Sequence, residues 1–278
     1  MLKFWFLLKI CYTDNMKNKK LFLFDIDGVI RLGDKIIDGS IELFEQINKN
    51  GGKSIFLTNN STKSSHDYVQ TFKDYGFKDV DETNFLTALD VTGEFLLSHH
   101  KNDLIFAFGT KSFKNYLTSK GLKITCNPDA NNIKVVIVGY NNEMTYKDVC
   151  DVCKVLQTTS AVYYATNMDT ICPVGFGFIP DCGAICDFIF SSTNKKPKFL
   201  GKPAPDMINL AVKQSGYKKE QAVMIGDRLY TDIACGINAQ VDTILVLTGE
   251  AKLSDLDSTP YKPTFVYNSV KDIYNEIK

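Results

Sequence analysis

LFLFDIDG, at residues 21–28, begins with four apolar residues and ends with two carboxylates and a glycine. Four consecutive apolar residues predict a strand that is buried on both faces, as in a parallel sheet. Asp25 and Asp27 are two positions apart, so on an extended chain both side chains point to the same side, at the carboxyl end of the strand. Open α/β sheets bind their ligands at that end. Two carboxylates at this range repel each other unless a cation or a proton intervenes, so the stretch predicts either a cation site or an acidic Asp-Gly turn.

The composition is that of an ordinary globular protein. Of the 278 residues, 44% are hydrophobic and 23% are charged, and the formal net charge is +0. This length allows one large domain or two medium ones with a substantial core. The balanced charge gives no overall attraction to nucleic acid or to an anionic membrane, so we expect neither as a partner.

Residues 1–16 are predicted to be an N-terminal appendage. Their apolar segment at residues 4–8 is bracketed by Lys3 and Lys9, and it is much shorter than the roughly 20 residues of a membrane span. No small-residue cleavage site follows it, as a secretory signal would require. Met16 directly precedes a basic run and the predicted strand, so it is a second candidate for the first residue.

The eight cysteines leave two interpretations open. Cys150 and Cys153 fall on the apolar face of a predicted helix, which favours burial as small apolar side chains. A zinc site would instead need a second pair of ligands, for which Cys182 and Cys186 are the candidates. We favour reduced thiols in a cytoplasmic protein, because no clear secretory signal precedes the fold.

Short apolar runs alternate with amphipathic segments along the rest of the chain. The runs predict strands at residues 21–24, 54–57, 103–108, 134–140, 162–165, 222–225, 243–249 and 264–267. The amphipathic segments predict helices at residues 41–47, 68–75, 111–120, 145–157, 183–190 and 206–214, one between 232 and 243, and a last one ending near 273. Ser40 is predicted to cap the first helix. Connections this short imply right-handed βαβ units and therefore an α/β fold with a Rossmann-like parallel sheet.

The middle of the chain is long enough to fold as a domain of its own. We predict a core domain built from residues 17–81 and 197–278, with an α/β domain inserted between them at residues 82–196. Within the insertion, residues 167–183 are punctuated by glycine and proline. This segment is predicted to be a long loop that acts as a lid.

Residues 58–61, Thr-Asn-Asn-Ser, lie just past one predicted strand and just before a helix. Hydroxyls, side-chain amides and main-chain N–H groups at the start of a helix form an anion site. The same residue types are also preferred as plain helix caps. The segment by itself therefore predicts either a capping loop or a phosphate-binding loop.

Polar side chains stand at four predicted strand ends: Asp25 and Asp27, Thr58 and Asn59, Lys202, and Asp227 with Asp232. In a parallel sheet such ends lie on one edge. Four carboxylates cannot share that edge with one ammonium and an anionic ligand, because each close pair costs several kcal/mol at an effective dielectric constant of about 20. A divalent cation removes the imbalance. Mg²⁺ is the expected ion, since it prefers carboxylate, water and phosphate oxygens.

Four segments together resemble the motifs of the haloacid dehalogenase (HAD) superfamily, in their usual order: residues 25–29 (DIDGV), 57–60 (LTNN), 201–203 (GKP) and 226–232 (GDRLYTD). The insertion, with residues 165–167 (ATN) and its glycine- and proline-rich segment, resembles the cap domain of the NagD-like branch. That branch includes phosphoglycolate phosphatases and 4-nitrophenylphosphatases. The similarity spans about residues 20–275 and implies a HAD core with an inserted α/β cap.

The resemblance implies a role for each residue of the core motifs. Asp25 is the implied nucleophile that forms an aspartyl-phosphate. Asp27 is the implied acid that protonates the leaving oxygen and later deprotonates the attacking water. The implied phosphate ligands are Thr58, Asn59, Asn60 and Lys202. The implied Mg²⁺ ligands are Asp25, the Asp27 carbonyl and Asp227, with Asp232 supporting them from behind.

Two cap residues, Asn167 and Asp169, are expected from the resemblance to touch the leaving group when the cap closes. For Asp169 a simple turn acid is the alternative. The cap departs from the family pattern at residues 180–183, where Pro-Asp-Cys-Gly replaces the usual Pro-Gly-Asn-Gly. This departure concerns the choice of substrate rather than the chemistry.

The function that these observations imply is hydrolysis of a small phosphomonoester with Mg²⁺. Phosphoglycolate, a sugar phosphate, pyridoxal phosphate, a nucleotide or a compound like 4-nitrophenyl phosphate would fit. A phosphotransferase or mutase with the same nucleophile is one alternative, and a phosphometabolite-binding protein without catalysis is another. The expected partners are a small phosphorylated metabolite and a second copy of the chain, paired through the cap.

Overall fold

The computed structural model describes residue 16 and residues 18–60, 65–174 and 176–278. The predicted appendage, apart from Met16, lies outside the described residues, and so does the part of the predicted anion loop from residue 61 onward. None of the described helices combines the length and the apolar composition that crossing a bilayer requires.

In the part of the chain that the structure describes, each strand and helix that the sequence predicts is present, together with seven further strands and one further α-helix. The strands are β1 Leu21–Asp25, β2 Arg31–Leu32, β3 Lys35–Ile36, β4 Lys53–Thr58, β5 Phe85–Thr87, β6 Leu104–Phe108, β7 Lys123–Thr125, β8 Ile133–Val138, β9 Val162–Ala165, β10 Ile171–Val174, β11 Gly177–Pro180, β12 Lys198–Phe199, β13 Ala222–Gly226, β14 Asp242–Val246 and β15 Phe265–Tyr267. The α-helices are α1 Ser40–Lys49, α2 Ser65–Asp74, α3 Ala88–His100, α4 Lys111–Ser119, α5 Tyr146–Thr158, α6 Cys182–Thr193, α7 Asp206–Ser215, α8 Ala234–Ala239 and α9 Val270–Ile277. Short 3-10 turns cover Glu82–Asn84, Lys219–Gln221 and Leu253–Leu256, and Leu229–Ile233 is a π-helical turn.

The chain divides into two compact units. The first contains the described residues up to Leu57, Val69–Phe85 and Ile208–Lys278. The second contains the described residues of Thr58–Tyr68 and Leu86–Met207. The boundaries predicted from the sequence, at residues 82 and 197, stay predictions.

A six-stranded sheet in the order β15-β14-β13-β1-β4-β5 organises the first unit. β1 pairs in parallel with β13 on one side and with β4 on the other. Its four apolar residues are all buried, because helices cover both faces of a parallel sheet. The predicted Rossmann-like parallel sheet is confirmed. The register of the sheet matters for the site. Phe24 lies opposite Ile225, so β1 and β13 end side by side.

An aromatic cluster fills one face of this sheet. The ring centroids of Phe56 and Phe72 are 4.5 Å apart, and those of Phe44 and Phe77 are 5.5 Å apart. Each such pair adds about 0.5–1.5 kcal/mol beyond the burial of its area. On α1, Leu43, Phe44 and Ile47 are the buried apolar residues, and their helical spacing places them on the face toward the sheet.

A five-stranded parallel sheet in the order β12-β9-β8-β6-β7 organises the second unit. Residues of the central strand β8 alternate between two cores. Val136 and Val138 pack in the cluster that includes residues of α5 and α6. Val135 and Ile137 pack with residues of α3 and α4. Successive residues of a strand point to opposite faces, and both faces of this strand are buried. The sequence therefore shows a continuous apolar run here.

The prediction of an irregular lid loop at residues 167–183 is wrong in its secondary structure. β10 and β11 form an antiparallel ribbon within it, with Ile171 opposite Pro180 and Val174 opposite Gly177. Three of the glycine and proline residues that indicated a loop, Pro173, Gly177 and Pro180, lie within the two strands. Pairing between β10 and β11 outweighed the low strand propensity of these residues.

The predicted cap at Ser40 is also wrong. Gly39 occupies the position before the helix, in a left-handed conformation with φ 89, and no side chain caps the first turn. Ser40 begins the helix, is buried, and donates from Oγ to the carbonyl of Ile30 at 3.2 Å. Helix α3 was not predicted, because its apolar residues surround the helix rather than follow one stripe.

Cys150 is exposed and Cys153 is only partly buried, which contradicts their predicted burial. α5 buries Val149, Val152, Val155 and Leu156, so its inward face lies slightly to one side of the cysteines. Cys182 and Cys186 are buried in α6. A hydrogen bond with Cys182, reinforced by burial, raises the pKa of Cys186 well above its usual range. Among the described residues, neither cysteine pair belongs to a group of three acidic, histidine or cysteine side chains with the spacing of a metal site.

Candidate active site

Three carboxylates meet at the carboxyl edge of the six-stranded sheet. Asp25 ends β1, Asp227 directly follows β13, and Asp232 lies in the π-helical turn. One oxygen of each carboxylate lies within 4.8 Å of the others, and Asp227 and Asp232 are buried. The neighbouring ends of β1 and β13 bring residues 25 and 227 together, although they are about 200 positions apart in sequence.

The charges of this cluster favour a bound cation or a shared proton. Three carboxylates at such distances repel one another by several kcal/mol per pair at an effective dielectric constant of about 20. A metal site needs several acidic, histidine or cysteine side chains close together. Within the described residues, Asp25, Asp227 and Asp232 form the one group of three with that spacing. Its oxygen donors fit Mg²⁺, which prefers carboxylates and completes its coordination with water and phosphate oxygens.

Glycines surround these carboxylates because the main chain passes very close to them. A Cβ atom on Gly28 would lie 2.5 Å from Oδ2 of Asp227, and one on Gly249 would lie 1.9 Å from the same oxygen. A Cβ on Gly226 would lie 2.1 Å from the Cβ of Asp232. Real Cβ atoms do not approach this closely, so each position requires glycine for space. At Gly28, φ +90 also favours glycine.

Main-chain groups fix the orientation of the buried acids. The N–H of Glu250 donates to Oδ2 of Asp227 at 2.8 Å, and the N–H of Arg228 donates to Oδ2 of Asp232 at 3.1 Å. The side chains of Arg228 and Glu250 form an ion pair with 2.9 Å between Nε and Oε2. Residues 249 and 250 were not predicted to belong to the site, since no motif marks them and only the fold places them beside Asp227.

The side chain of Asp27 pairs with Arg31 rather than with the three clustered acids. Nε of Arg31 lies 3.0 Å from Oδ1 of Asp27, and an Arg31 guanidinium N–H donates to the hydroxyl of Tyr75 at 3.2 Å. The Asp27 side chain is 43% exposed. The role predicted for Asp27 in metal binding involves its main-chain carbonyl, and it stays a prediction.

The predicted phosphate ligands lie in the second unit, in a buried polar cluster. Thr58 and Lys202 are 5% and 2% exposed. The N–H of Asn60 donates to Oγ1 of Thr58 at 3.1 Å. The amide of Asn59 makes hydrogen bonds to the main chain of Lys202. The phosphate-binding roles of these four residues stay predictions.

Asn167 and Asp169 belong to the same polar cluster. Nδ2 of Asn167 donates to Oδ2 of Asp169 at 3.0 Å, and Nδ2 of Asn59 donates to that oxygen at 2.7 Å. Asn167 is 1% exposed and Asp169 is 8% exposed. Asp169 is therefore a buried acceptor of two amide hydrogen bonds and not a solvated turn acid. The predicted contact of these residues with a leaving group stays a prediction.

Comparison with known proteins identifies the family. The family described as haloacid dehalogenase-like hydrolase matches residues 22–123, and the family described as HAD-hydrolase-like matches residues 199–273. The ribonucleotide monophosphatase NagD of Escherichia coli is 35% identical over 254 residues, which cover 90% of this chain and 96% of that protein. This chain belongs to the haloacid dehalogenase superfamily. Within it the chain is a NagD-like phosphatase, as the motifs predicted.

Two further HAD relatives cover nearly the whole chain. A 4-nitrophenylphosphatase from Thermotoga maritima has a crystal structure that matches with a TM-score of 0.88 and 32% identity, covering 95% of this chain and 99% of that one. The acid sugar phosphatase of Staphylococcus saprophyticus is 29% identical over 264 residues, covering 95% of this chain and all of that protein. The similarity therefore extends over both units.

Proposed function

We propose that this HAD protein is a Mg²⁺-dependent phosphatase that hydrolyses a small phosphomonoester, with a sugar phosphate as the first candidate substrate, through an aspartyl-phosphate on Asp25. The observation that carries the proposal is the group of three carboxylates at the ends of β1 and β13, with one oxygen of each within 4.8 Å of the others. The name of the acid sugar phosphatase relative supports the substrate class.

Asp25, Asp227 and the main-chain carbonyl of Asp27 would hold Mg²⁺, with Asp232 behind them. When bound, the ion supplies positive charge that lets an anionic nucleophile approach an anionic phosphate. A carboxylate oxygen of Asp25 attacks phosphorus, and the bond from phosphorus to the ester oxygen breaks. Asp27 gives its proton to that oxygen, so the alcohol leaves neutral.

The second half of the reaction returns the residues to their starting state. Asp27, now a carboxylate, takes a proton from a water molecule, whose oxygen attacks the phosphorus of the aspartyl-phosphate. The bond between phosphorus and the Asp25 oxygen breaks, which releases inorganic phosphate. The Asp27 side chain is 43% exposed, so it can exchange protons with water.

We propose that Thr58, Asn59, Asn60 and Lys202 hold the phosphate oxygens, and that Asn167 and Asp169 act near the leaving group. An ammonium at 2% exposure, such as that of Lys202, attracts an anion more strongly than a solvated one does, because the surrounding dielectric is low. The hydroxyl of Thr58 adds a neutral donor, which suits a doubly charged phosphate.

Hydrolysis of 4-nitrophenyl phosphate tests the proposal directly. We expect turnover with added Mg²⁺, a loss of at least about 100-fold on treatment with EDTA, and recovery when Mg²⁺ is restored, because an uncompensated carboxylate cluster repels the substrate. 4-Nitrophenyl acetate is the control, and the protein should not accelerate its hydrolysis over that in buffer alone. Turnover that EDTA leaves unchanged would exclude the metal, and no hydrolysis of any ester in a panel of phosphometabolites would exclude the activity.

We also propose a homodimer that pairs through the ribbon β10–β11. Large apolar side chains on this ribbon face solvent: Phe176 is 85% exposed and Phe178 is 64% exposed. Exposed apolar patches of this kind mark protein interfaces. We expect light scattering to give the mass of two chains, and Phe178→Glu to give that of one. Leu253→Glu, on an exposed residue of the first unit, is the control and should stay dimeric.

We propose a cytoplasmic location. The cysteines that the structure describes are free thiols, which fits a reducing compartment. Labelling the folded protein from cell extract with a thiol reagent should modify Cys126 and Cys150, which are exposed.

A further inference from the structure

The side-chain amide of Asn59 pairs with both main-chain polar groups of Lys202. Oδ1 of Asn59 accepts from the N–H of Lys202 at 2.9 Å, and Nδ2 donates to the carbonyl of Lys202 at 3.1 Å. Two hydrogen bonds to a single residue restrain its rotation as well as its position. The residue restrained in this way carries the buried ammonium of the site.

Asp169 and the main chain of Lys202 together determine which way the Asn59 amide points. A carboxylate only accepts hydrogen bonds and a main-chain N–H only donates them. Asp169 lies 2.7 Å from Nδ2 of Asn59, while the Lys202 N–H faces Oδ1. A flipped amide would place two acceptors against each other and two donors against each other, so this arrangement allows one orientation.

Gly201 leaves room for this pairing. A Cβ atom at residue 201 would lie 2.7 Å from Oδ1 of Asn59 and 2.6 Å from the carbonyl of Thr166. The N–H of Gly201 donates to that carbonyl at 2.7 Å. Because residue 201 is glycine, Asn59 and the carbonyl of Thr166 can lie close to the main chain next to Lys202.

We propose that Asn59 and Asp169 act as a positioning pair for Lys202: Asn59 fixes the main chain of the lysine, and Asp169 fixes the amide of Asn59. The proposal rests on the proposed function, in which Lys202 binds the phosphoryl group. Asn59 then acts on the site through its side-chain amide, which holds the main chain of the lysine.

Exchanging the two side chains tests the pair. Asn59→Asp places two buried carboxylates together and removes the donor to the Lys202 carbonyl, so we expect kcat/KM for 4-nitrophenyl phosphate to fall about 100-fold. Adding Asp169→Asn restores a donor opposite the new carboxylate, which still accepts from the Lys202 N–H. The double variant should therefore recover about tenfold relative to Asn59→Asp, as coupled neighbours do.

Hydrogen exchange gives a readout that does not need turnover. Pro203 and Pro205 have no amide hydrogen, so a peptide spanning residues 199–205 reports few amides, that of Lys202 among them. We expect faster exchange in Asn59→Asp and a return toward the wild-type rate in the double variant. Asn131→Asp, the same change at an exposed asparagine of the second unit, is the control and should alter neither kcat/KM nor exchange.

Each outcome decides the proposal. No recovery of kcat/KM in the double variant overturns it, and so does unchanged exchange in Asn59→Asp. If Asn59→Asp does not fold, Asp169→Asn alone should fold and lose about tenfold in kcat/KM because Nδ2 of Asn59 loses its charged acceptor; full activity in that variant overturns the proposal. Wild-type protein that hydrolyses no phosphate ester refutes the proposed function, while the exchange data still decide whether the pair holds Lys202.

Discussion

Asp25→Asn should lower kcat for 4-nitrophenyl phosphate by more than about 1,000-fold, the scale seen when a nucleophile is removed. The asparagine amide has nearly the shape of the carboxylate but not its charge, so it cannot form the phosphorus–oxygen bond. Rapid quenching of the wild type with a labelled substrate should trap an acyl phosphate that hydroxylamine cleaves, and the variant should trap none.

The same substitution should not weaken the fold. Asp25 is one of three carboxylates whose oxygens lie within 4.8 Å of one another, and removing one charge relieves repulsion when no metal is bound. We therefore expect the Tm of Asp25→Asn without Mg²⁺ to equal or exceed that of the wild type. Asp34→Asn, at an exposed residue shortly after the same strand, is the matched control and should keep full activity. More than a tenth of wild-type turnover in Asp25→Asn would refute the assigned nucleophile.

Asp227→Asn should abolish the response to Mg²⁺. In the wild type, Mg²⁺ at 100 times its Kd should stabilise the fold by about 2.7 kcal/mol through mass action, which a thermal shift reports without any turnover. Asp227 belongs to the group of three acids with the spacing of a metal site, and its buried carboxylate is held by the N–H of Glu250 at 2.8 Å. We expect the variant to lose the shift at that concentration and to lose turnover with it.

Gly249→Ala tests the same site without changing a charge. The added methyl group would lie 1.9 Å from Oδ2 of Asp227, so either the carboxylate or the main chain must move. All three acids remain, and we expect the Mg²⁺-induced shift to weaken although the net charge is unchanged. An undiminished shift in both Asp227→Asn and Gly249→Ala would show that the metal binds elsewhere.

Local sequence predicted the strands that matter most for the site. β1 was predicted from four consecutive apolar residues, and all four are buried. The break was predicted at Gly28, and the strand ends earlier, at Asp25. The four motifs were sufficient to identify the superfamily, since their residue types and their order can be read from the sequence without knowledge of the fold.

Secondary structure was mispredicted where residue types conflicted with their neighbours in space. The ribbon β10–β11 contains glycine and proline at positions that indicate a loop, and pairing between its strands forms it nonetheless. α3 has no single apolar stripe because residues on several of its sides are buried. Helical periodicity is informative only when one side of a helix faces water.

By itself, the sequence determined the α/β class, the superfamily, and the residue types at the strand ends, because each of these depends only on residue types and on their order along the chain. Only the tertiary structure decided which partners those residues have: Asp27 with Arg31, Asp227 with Gly249 and Glu250, Asn59 with Asp169 and Lys202. Asn59 and Lys202 are separated by 143 positions, and nothing in the neighbourhood of either one specifies the other. The pairing exists because the fold brings distant parts of the chain within reach of each other, and hydrogen bonds then select among the polar groups that meet there.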